Sequence, residues 1–345
     1  MKAIVIRQWG DPQPFPLEQV EEPEPGPGEV RIAVHCVGVT FGETLIATGK
    51  YQVKPDLPFV PGAESAGVID KVGPGVEGFT PGDRVAPMGF VGKSRDTRQI
   101  LGGCREKLIA PAANVTRVPD GVSLEMAALF RSNAETALYS LQLADLKAGE
   151  TLLVLGAGGG TASAAVALGK YMGARVIASA SSQAKRRIAL DAGADVAVDS
   201  GAEDWRAQVE AAAGSGSEQP GKVDVIYDPN GGDMSERAFR TLGYGGRHLV
   251  VGFAAGAIPK LPLNLTLMKS ASVIGANLLN AYEMEPDRCR ANAAWLLDLL
   301  AQGKLPEPVV AKRYPLEQAA QAYAEVAAGE IAGRVLIMVG APEAE

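Results

Sequence analysis

Cysteine and histidine are scarce in this 345-residue chain, with three of the first (Cys36, Cys104, Cys289) and two of the second (His35, His248). Three scattered cysteines, an odd number, argue against a disulfide framework and fit a reducing cytoplasm. No basic stripe of useful length occurs, and the net charge is −7, so a nucleic-acid partner is not expected. No apolar run reaches the ~18 residues needed to span a bilayer. Residues 1–10 lack a long apolar segment and read as a strand, so neither a membrane anchor nor a signal peptide is expected. No repeat of solenoid period is found. These absences leave a soluble globular protein.

Apolar residues make up 47% and charged residues 21%, an ordinary globular balance. The length exceeds one ordinary core and suggests two domains. Residues 1–123 are β-rich, with strands expected at 2–7, 30–39, 68–72 and 83–86 between Pro/Gly clusters. Beyond Ser123 the pattern changes. Short apolar strands at 151–155, 175–179, 195–198, 223–227, 247–251 and 272–275 alternate with helical stretches such as 161–172 and 183–192. This alternation predicts a Rossmann-type, doubly wound parallel sheet of six strands. After Leu278 it stops: helices at 286–302 and 316–328 and a strand at 334–339 are expected. We therefore read an α/β protein with a β-rich first domain over 1–123, a dinucleotide-binding domain over 124–278, and a return to the first domain over 279–345.

The segment after the first parallel strand reads Gly156-x-x-Gly159-x-x-Ala162, with Gly160 and Thr161 opening a helix. Glycines let the backbone approach a pyrophosphate, and the helix N-terminus meets its charge with free N–H groups. A tight strand–helix turn is the plainer alternative, but the position between the first strand and helix of a six-strand alternation favours a nicotinamide dinucleotide. An enzyme specific for NAD usually has an acid at the end of the second strand to hold the ribose 2′-hydroxyl. Here Ser181 and Ser182 stand there, followed by Lys185 and Arg186. Ser181, Ser182 and Lys185 can hold a 2′-phosphate, which points to NADPH; an N-capped helix with exposed cations is the rival reading.

The chain resembles the medium-chain dehydrogenase/reductase superfamily over nearly its whole length, and within it the zinc-independent, zeta-crystallin-like quinone oxidoreductase branch. The resemblance rests on Gly38-Val39-Thr40-Phe41, Gly49-Lys50-Tyr51, Pro58-Phe59-Val60-Pro61-Gly62-Ala63-Glu64, Gly82-Asp83-Arg84-Val85, Asp224 through Gly232, and Gly252-Phe253. It implies a discontinuous GroES-like catalytic domain beside the dinucleotide domain. The zinc branch has cysteine where Thr40 stands and histidine where Ala63 stands, so no metal is expected. The quinone reductase branch commonly has asparagine at Thr40, and Ser200 replaces a tyrosine that often touches the adenosine phosphate.

By resemblance, NADPH gives a hydride to an electron-poor acceptor while the protein positions the two. The acceptor is a quinone or another α,β-unsaturated carbonyl. An enoyl-thioester reductase is the alternative, and a third reading is a protein that holds NADPH without turnover. Thr40 lies on the catalytic side. Asn133, Thr136, Gly252, Phe253 and the Asn277–Leu278 turn are expected around the nicotinamide, and Arg334 near the pyrophosphate. Tyr51 is the best candidate donor to a developing oxyanion, with a proton to give if its pKa is lowered; simple packing is the alternative. Lys93, Arg95 and Arg98, with Arg105 close behind, either meet the phosphates of a coenzyme A thioester or form a solvated loop. The strand at 272–275 resembles a sheet-edge strand that pairs across a homodimer.

Overall fold

A computed structural model of the chain describes residues 1–10, 15–51, 54–87, 102–214, 219–329 and 331–340. It divides into two units, one of Met1–Arg131, Tyr282–Gln302 and Glu307–Glu345, the other of Ser132–Ala281 and Gly303–Pro306.

The first unit opens with β1 (Lys2–Ile4), β2 (Leu17–Gln19), the long β3 (Glu29–Val39) and α1 (Phe41–Ala47). β4 (Glu64–Val72), β5 (Arg84–Pro87), β6 (Lys107–Pro111) and β7 (Val115–Arg117) follow. α2 (Leu124–Leu143) carries the chain into the second unit. There β8 (Thr151–Leu155), α3 (Gly160–Tyr171), β9 (Arg175–Ala180), α4 (Gln183–Asp191), β10 (Val196–Asp199) and α5 (Trp205–Ala213) alternate. The alternation continues with β11 (Val223–Asp228), α6 (Asp233–Phe239), β12 (Leu242–Val250), α7 (Leu263–Lys269) and β13 (Ser272–Gly275). α8 (Leu278–Met284) and α9 (Pro286–Ala301) lead back to the first unit, which β14 (Val310–Pro315), α10 (Ala319–Ala328) and β15 (Arg334–Met338) complete.

In the first unit β3 is the hub, hydrogen-bonded to β15, β4 and β6. Its Val30 and Ile32 enter one core with Ile69, Val85, Ala110 and Val115. Val34, Val37 and Val39 enter a second with Ile4, Phe59, Tyr323, Val335 and Ile337. Side chains alternate faces along a strand, so a switch from even to odd positions needs an extra residue. The register against β4 shifts between Val34 and Cys36 and supplies it.

The second unit holds a six-stranded sheet in the order β10-β9-β8-β11-β12-β13, with every neighbouring pair parallel. That is the predicted doubly wound sheet, and its strand order reverses between β8 and β11. All five residues of β8 are buried, as a strand covered on both faces requires. One side packs Leu153, Leu155 and Ile177 against Trp205, Val209 and Phe239. Two expectations need correction. β12 begins at Leu242, not at Arg247: Gly243, Gly245 and Gly246 carry no strand propensity, but pairing with β11 draws them in through Val223 opposite Leu242. And Leu278, read as part of a turn, opens the helix α8.

Candidate active site

At the end of β8, Gly156 adopts φ +63°, which a side chain rarely tolerates, and turns the chain into the glycine loop. The Ala157 N–H donates to the Ser179 carbonyl at 3.0 Å, tying the loop to β9, and the Gly159 N–H donates to Gly156 at 2.9 Å. Gly159 is the N-cap of α3 and offers no side-chain cap, which leaves first-turn N–H groups for an anion. Thr161 donates its hydroxyl to Asn133 Oδ1 at 2.9 Å, so Asn133, on α2, is brought to the start of α3. Thr136, half-buried, donates to the Ser132 carbonyl of its own helix.

The first turn of α4 lies on this loop. A Cβ at Gly158 would stand 2.3 Å from Lys185 Cβ, so only glycine admits the lysine stem there. Ser182 caps α4 by accepting from the Lys185 N–H at 3.3 Å. The cap uses a lone pair and leaves the hydroxyl hydrogen for a phosphate oxygen, so both readings of Ser182 are compatible. Ser181 and Ser182 are exposed. Arg186 is engaged with Asp199 at 2.8 Å and with the Ala180 carbonyl.

Across the reversal point, the turn after β11 meets the same loop. Asp228 is 2% exposed. Its Oδ1 accepts the N–H groups of Asn230 and Gly231 at 3.0 and 2.9 Å; its Oδ2 is hydrogen-bonded to the Ser235 hydroxyl and to His248 Nε2. Burial works against this charge, but the bonds from His248, Ser235 and Gly231 outweigh it and hold the pKa below the ordinary aspartate value. The loop after β12, with Gly252 and Phe253, is stitched to the same turn: Gly252 donates to the Asp228 carbonyl and Ala254 to that of Pro229. Asn277, exposed, accepts from the Asn280 N–H at the start of α8, and the neighbouring Ala276 N–H donates to Val250.

Thr40, Tyr51 and Arg334 belong to the first unit. Thr40 is the N-cap of α1, accepting from the Glu43 N–H at 3.2 Å. Glu43 is buried; it accepts from the Ala63 N–H and, at 3.2 Å, from the Tyr323 hydroxyl. Burial pushes its pKa up to about 7, and the neighbouring Glu64 carboxylate adds to the rise. Burial also raises the Tyr51 phenol, whereas a proton donor was expected to need a lowered value. Tyr51 therefore keeps its proton at neutral pH and can act as a hydrogen-bond donor. Arg334, expected near a pyrophosphate, is buried and ion-paired with Glu64 inside the first unit. Arg105 is no surface cation: it donates to the Gly102 carbonyl, and burial lowers its pKa to about 10. Lys93, Arg95 and Arg98 lie outside the described residues. Among the described residues, no three His, Cys, Asp or Glu side chains gather as a metal site, and no helix is long and apolar enough to cross a membrane.

Sequence reasoning passed over Glu43 with Tyr323, which are 280 positions apart, and Asp228 with His248 and Ser235. The first pair carries no local signal. Asp228 stands in the Asp-Pro-Asn-Gly-Gly turn, whose two glycines mark a built turn, and His248 in that light is its partner.

Two families match. The alcohol dehydrogenase GroES-like domain covers residues 26–120, and the zinc-binding dehydrogenase family covers residues 160–296. The quinone oxidoreductase-like protein 2 homolog of Nematostella vectensis is 32% identical over 343 residues, 97% of this chain and 88% of that protein. The chain belongs to the medium-chain dehydrogenase/reductase superfamily, in its quinone oxidoreductase branch. The Escherichia coli quinone oxidoreductase, solved in complex with NADPH, superposes with a TM-score of 0.86 at 26% identity, covering 98% of this chain and 100% of that one. An NAD-dependent alcohol dehydrogenase structure gives 0.84 at 30% identity, covering 99% and 100%. The protein is thus an oxidoreductase of the superfamily's nicotinamide-dependent type, with the GroES-like and dinucleotide-binding folds that the motifs imply.

Proposed function

We propose that this protein is a metal-free, NADPH-dependent reductase of quinones or other α,β-unsaturated carbonyls, and that it works as a homodimer in a reducing cytoplasm. The observation that carries the cofactor choice is the end of β9: Ser181 and Ser182 are exposed hydroxyls, Lys185 lies over the glycine loop, and no acid follows the strand to repel a 2′-phosphate. Gly156, Gly159, Gly160 and Thr161 would hold the pyrophosphate, and Asn133, Thr136, Gly252, Phe253, Asn277 and Leu278 the nicotinamide side. When bound, the dinucleotide supplies a hydride. Thr40 helps position the acceptor, and the Tyr51 hydroxyl donates to the oxygen on which negative charge builds. Arg334 holds the Glu64 carboxylate in the first unit. The scattered, buried cysteines suit a reducing compartment. The dimer reading rests on β13, an edge strand paired with β12, and on the exposed Leu263, Leu267 and Met268 of the preceding helix.

Titration with NADPH and NADH, then NADPH oxidation with a quinone, an enone and an enoyl-CoA, tests the proposal. Tighter NADPH binding with turnover of the quinone or enone is expected, and Tyr51→Phe should lower kcat on the enone by roughly 10²-fold. Equal or tighter NADH binding, or turnover of the enoyl-CoA alone, would overturn it.

A further inference from the structure

The Asp228 carboxylate uses about all four of its acceptor positions within the protein. Asn230, Gly231, Ser235 and His248 each contribute one bond. His248 is fully buried, its ring stacked on Phe239, and among the described residues its Nδ1 has no partner, so Asp228 is its polar attachment there. Such an assembly exceeds what a surface turn requires, and its product is the shape of the turn.

That shape is a wedge. On one side the Asn230 side chain lies on the bare Cα of Gly156: a Cβ there would be 2.6 Å from Asn230 Oδ1. On the other side a Cβ at Gly231, which has φ +69°, would be 2.8 Å from Phe253 Cδ1 and 3.0 Å from the Ala257 carbonyl. Three further backbone bonds close this second face: Ala254 to Pro229 at 3.1 Å, Ala255 to Asn230 at 2.9 Å, and Gly232 to Ala257 at 2.8 Å. The wedge stands at the reversal point between β8 and β11, where a doubly wound sheet binds its ligand.

We propose that Asp228 is a positioning residue for the dinucleotide: it fixes Asn230 and Gly231, and through them the spacing between the glycine loop and the Gly252–Phe253 loop. The inference rests on the reading that these two loops grip the cofactor. It assigns Asn230, Ser235 and His248 to the same device. A pyrophosphate bound at Gly156 and a nicotinamide bound beside Phe253 are covalently linked parts of one molecule, so loops already held at one separation bind it with less ordering cost than loops free to drift.

The test uses the full chain and its Ser235→Ala, Asn230→Ala and Asp228→Asn variants. Calorimetric titration with NADPH, run well below each melting temperature, reads affinity in the folded state. Ser235→Ala and Asn230→Ala should each weaken NADPH roughly 3- to 10-fold, and Asp228→Asn on the order of 10- to 100-fold, each with the acceptor KM unchanged. Because both small changes act on one wedge, the Ser235→Ala, Asn230→Ala double variant should lose less than the product of the two single effects. If Asp228→Asn does not fold, the two alanine variants and their double carry the test. Folded variants with the parent affinity, or effects that simply multiply, would overturn the inference. Failure of the unaltered chain to bind either dinucleotide would overturn the functional reading and this one with it.

Discussion

Glu43 in the first unit and Asp228 in the second are buried to nearly the same depth, 5% and 2% exposed, and their pKa values move in opposite directions. Asp228 gathers four donors and has His248 beside it. Glu43 gathers fewer, from Ala63, Tyr323 and Gly62, and has a second carboxylate, Glu64, close by. Burial pushes both values up, so burial alone does not set the direction of the net shift; the supply of donors and the sign of the neighbours do. Asp228 is a fixed anion on which a turn can be built. Glu43 is a group whose proton is in play at neutral pH, on the helix that Thr40 caps.

The largest consequence is a slope of stability against pH. Between Glu43's ordinary value of 4.5 and its folded value of about 7, the folded chain holds a proton that the unfolded chain releases, so stability should fall as pH rises. Over the full window the loss is about 3 kcal/mol. Denaturant melts at pH 5 and pH 8 should show it, and Glu43→Gln should flatten it. An equal slope in Glu43→Gln would break the comparison. Asp228 contributes the opposite limb: its lowered pKa gives stability that is present at neutral pH and lost only in strong acid.

A smaller effect sharpens the claim about donors. Tyr323→Phe removes one hydrogen bond from Glu43. It should cost about 1–2 kcal/mol above pH 7, where the carboxylate is charged, and less below pH 6, moving the midpoint of the slope upward. A uniform loss at both pH values would mean that the tyrosine matters as packing alone.

The smallest effect is a control at the surface. Arg313 and Glu125 form a two-pronged pair, with the arginine half-exposed. Arg313→Ala should cost less than ~1 kcal/mol and little at high salt, because water screens what burial amplifies elsewhere. A loss as large as that of Glu43's charge would show that exposure to water does not weaken this ion pair.

The second unit was far more legible in the sequence than the first. Its strands are short apolar runs whose neighbours in the sheet come next or nearly next in the chain, and β8 and β13 fall on the expected residues. The glycine loop carries its own spacing. Where the reading slipped, at the start of β12, glycine propensity pointed to a loop and sheet pairing prevailed. In the first unit β2, β6, β7 and α1 left no clear trace, since strands of three to five residues and a seven-residue helix offer too few positions for a period to register. The same holds for the sites. Ser181, Ser182 and Lys185 sit together in the chain and were found together; Glu43 and Tyr323, or Glu64 and Arg334, meet only because β3 gathers β4 and β15 around it.

The shifted register in β3 has a consequence for inheritance. One strand serves as a wall of two cores, facing them with even positions up to Val34 and odd ones from Val37. Loss of one codon between Val34 and Val37 would remove the extra residue and leave a plain strand facing as before, whereas loss of one between Val30 and Val34 or between Val37 and Val39 would turn part of the strand to the wrong side; an insertion in a neighbouring turn would leave both cores intact. Lineages of this protein should therefore lengthen and shorten freely at their loops and keep an unvarying count of residues from Val30 to Val34 and from Val37 to Val39.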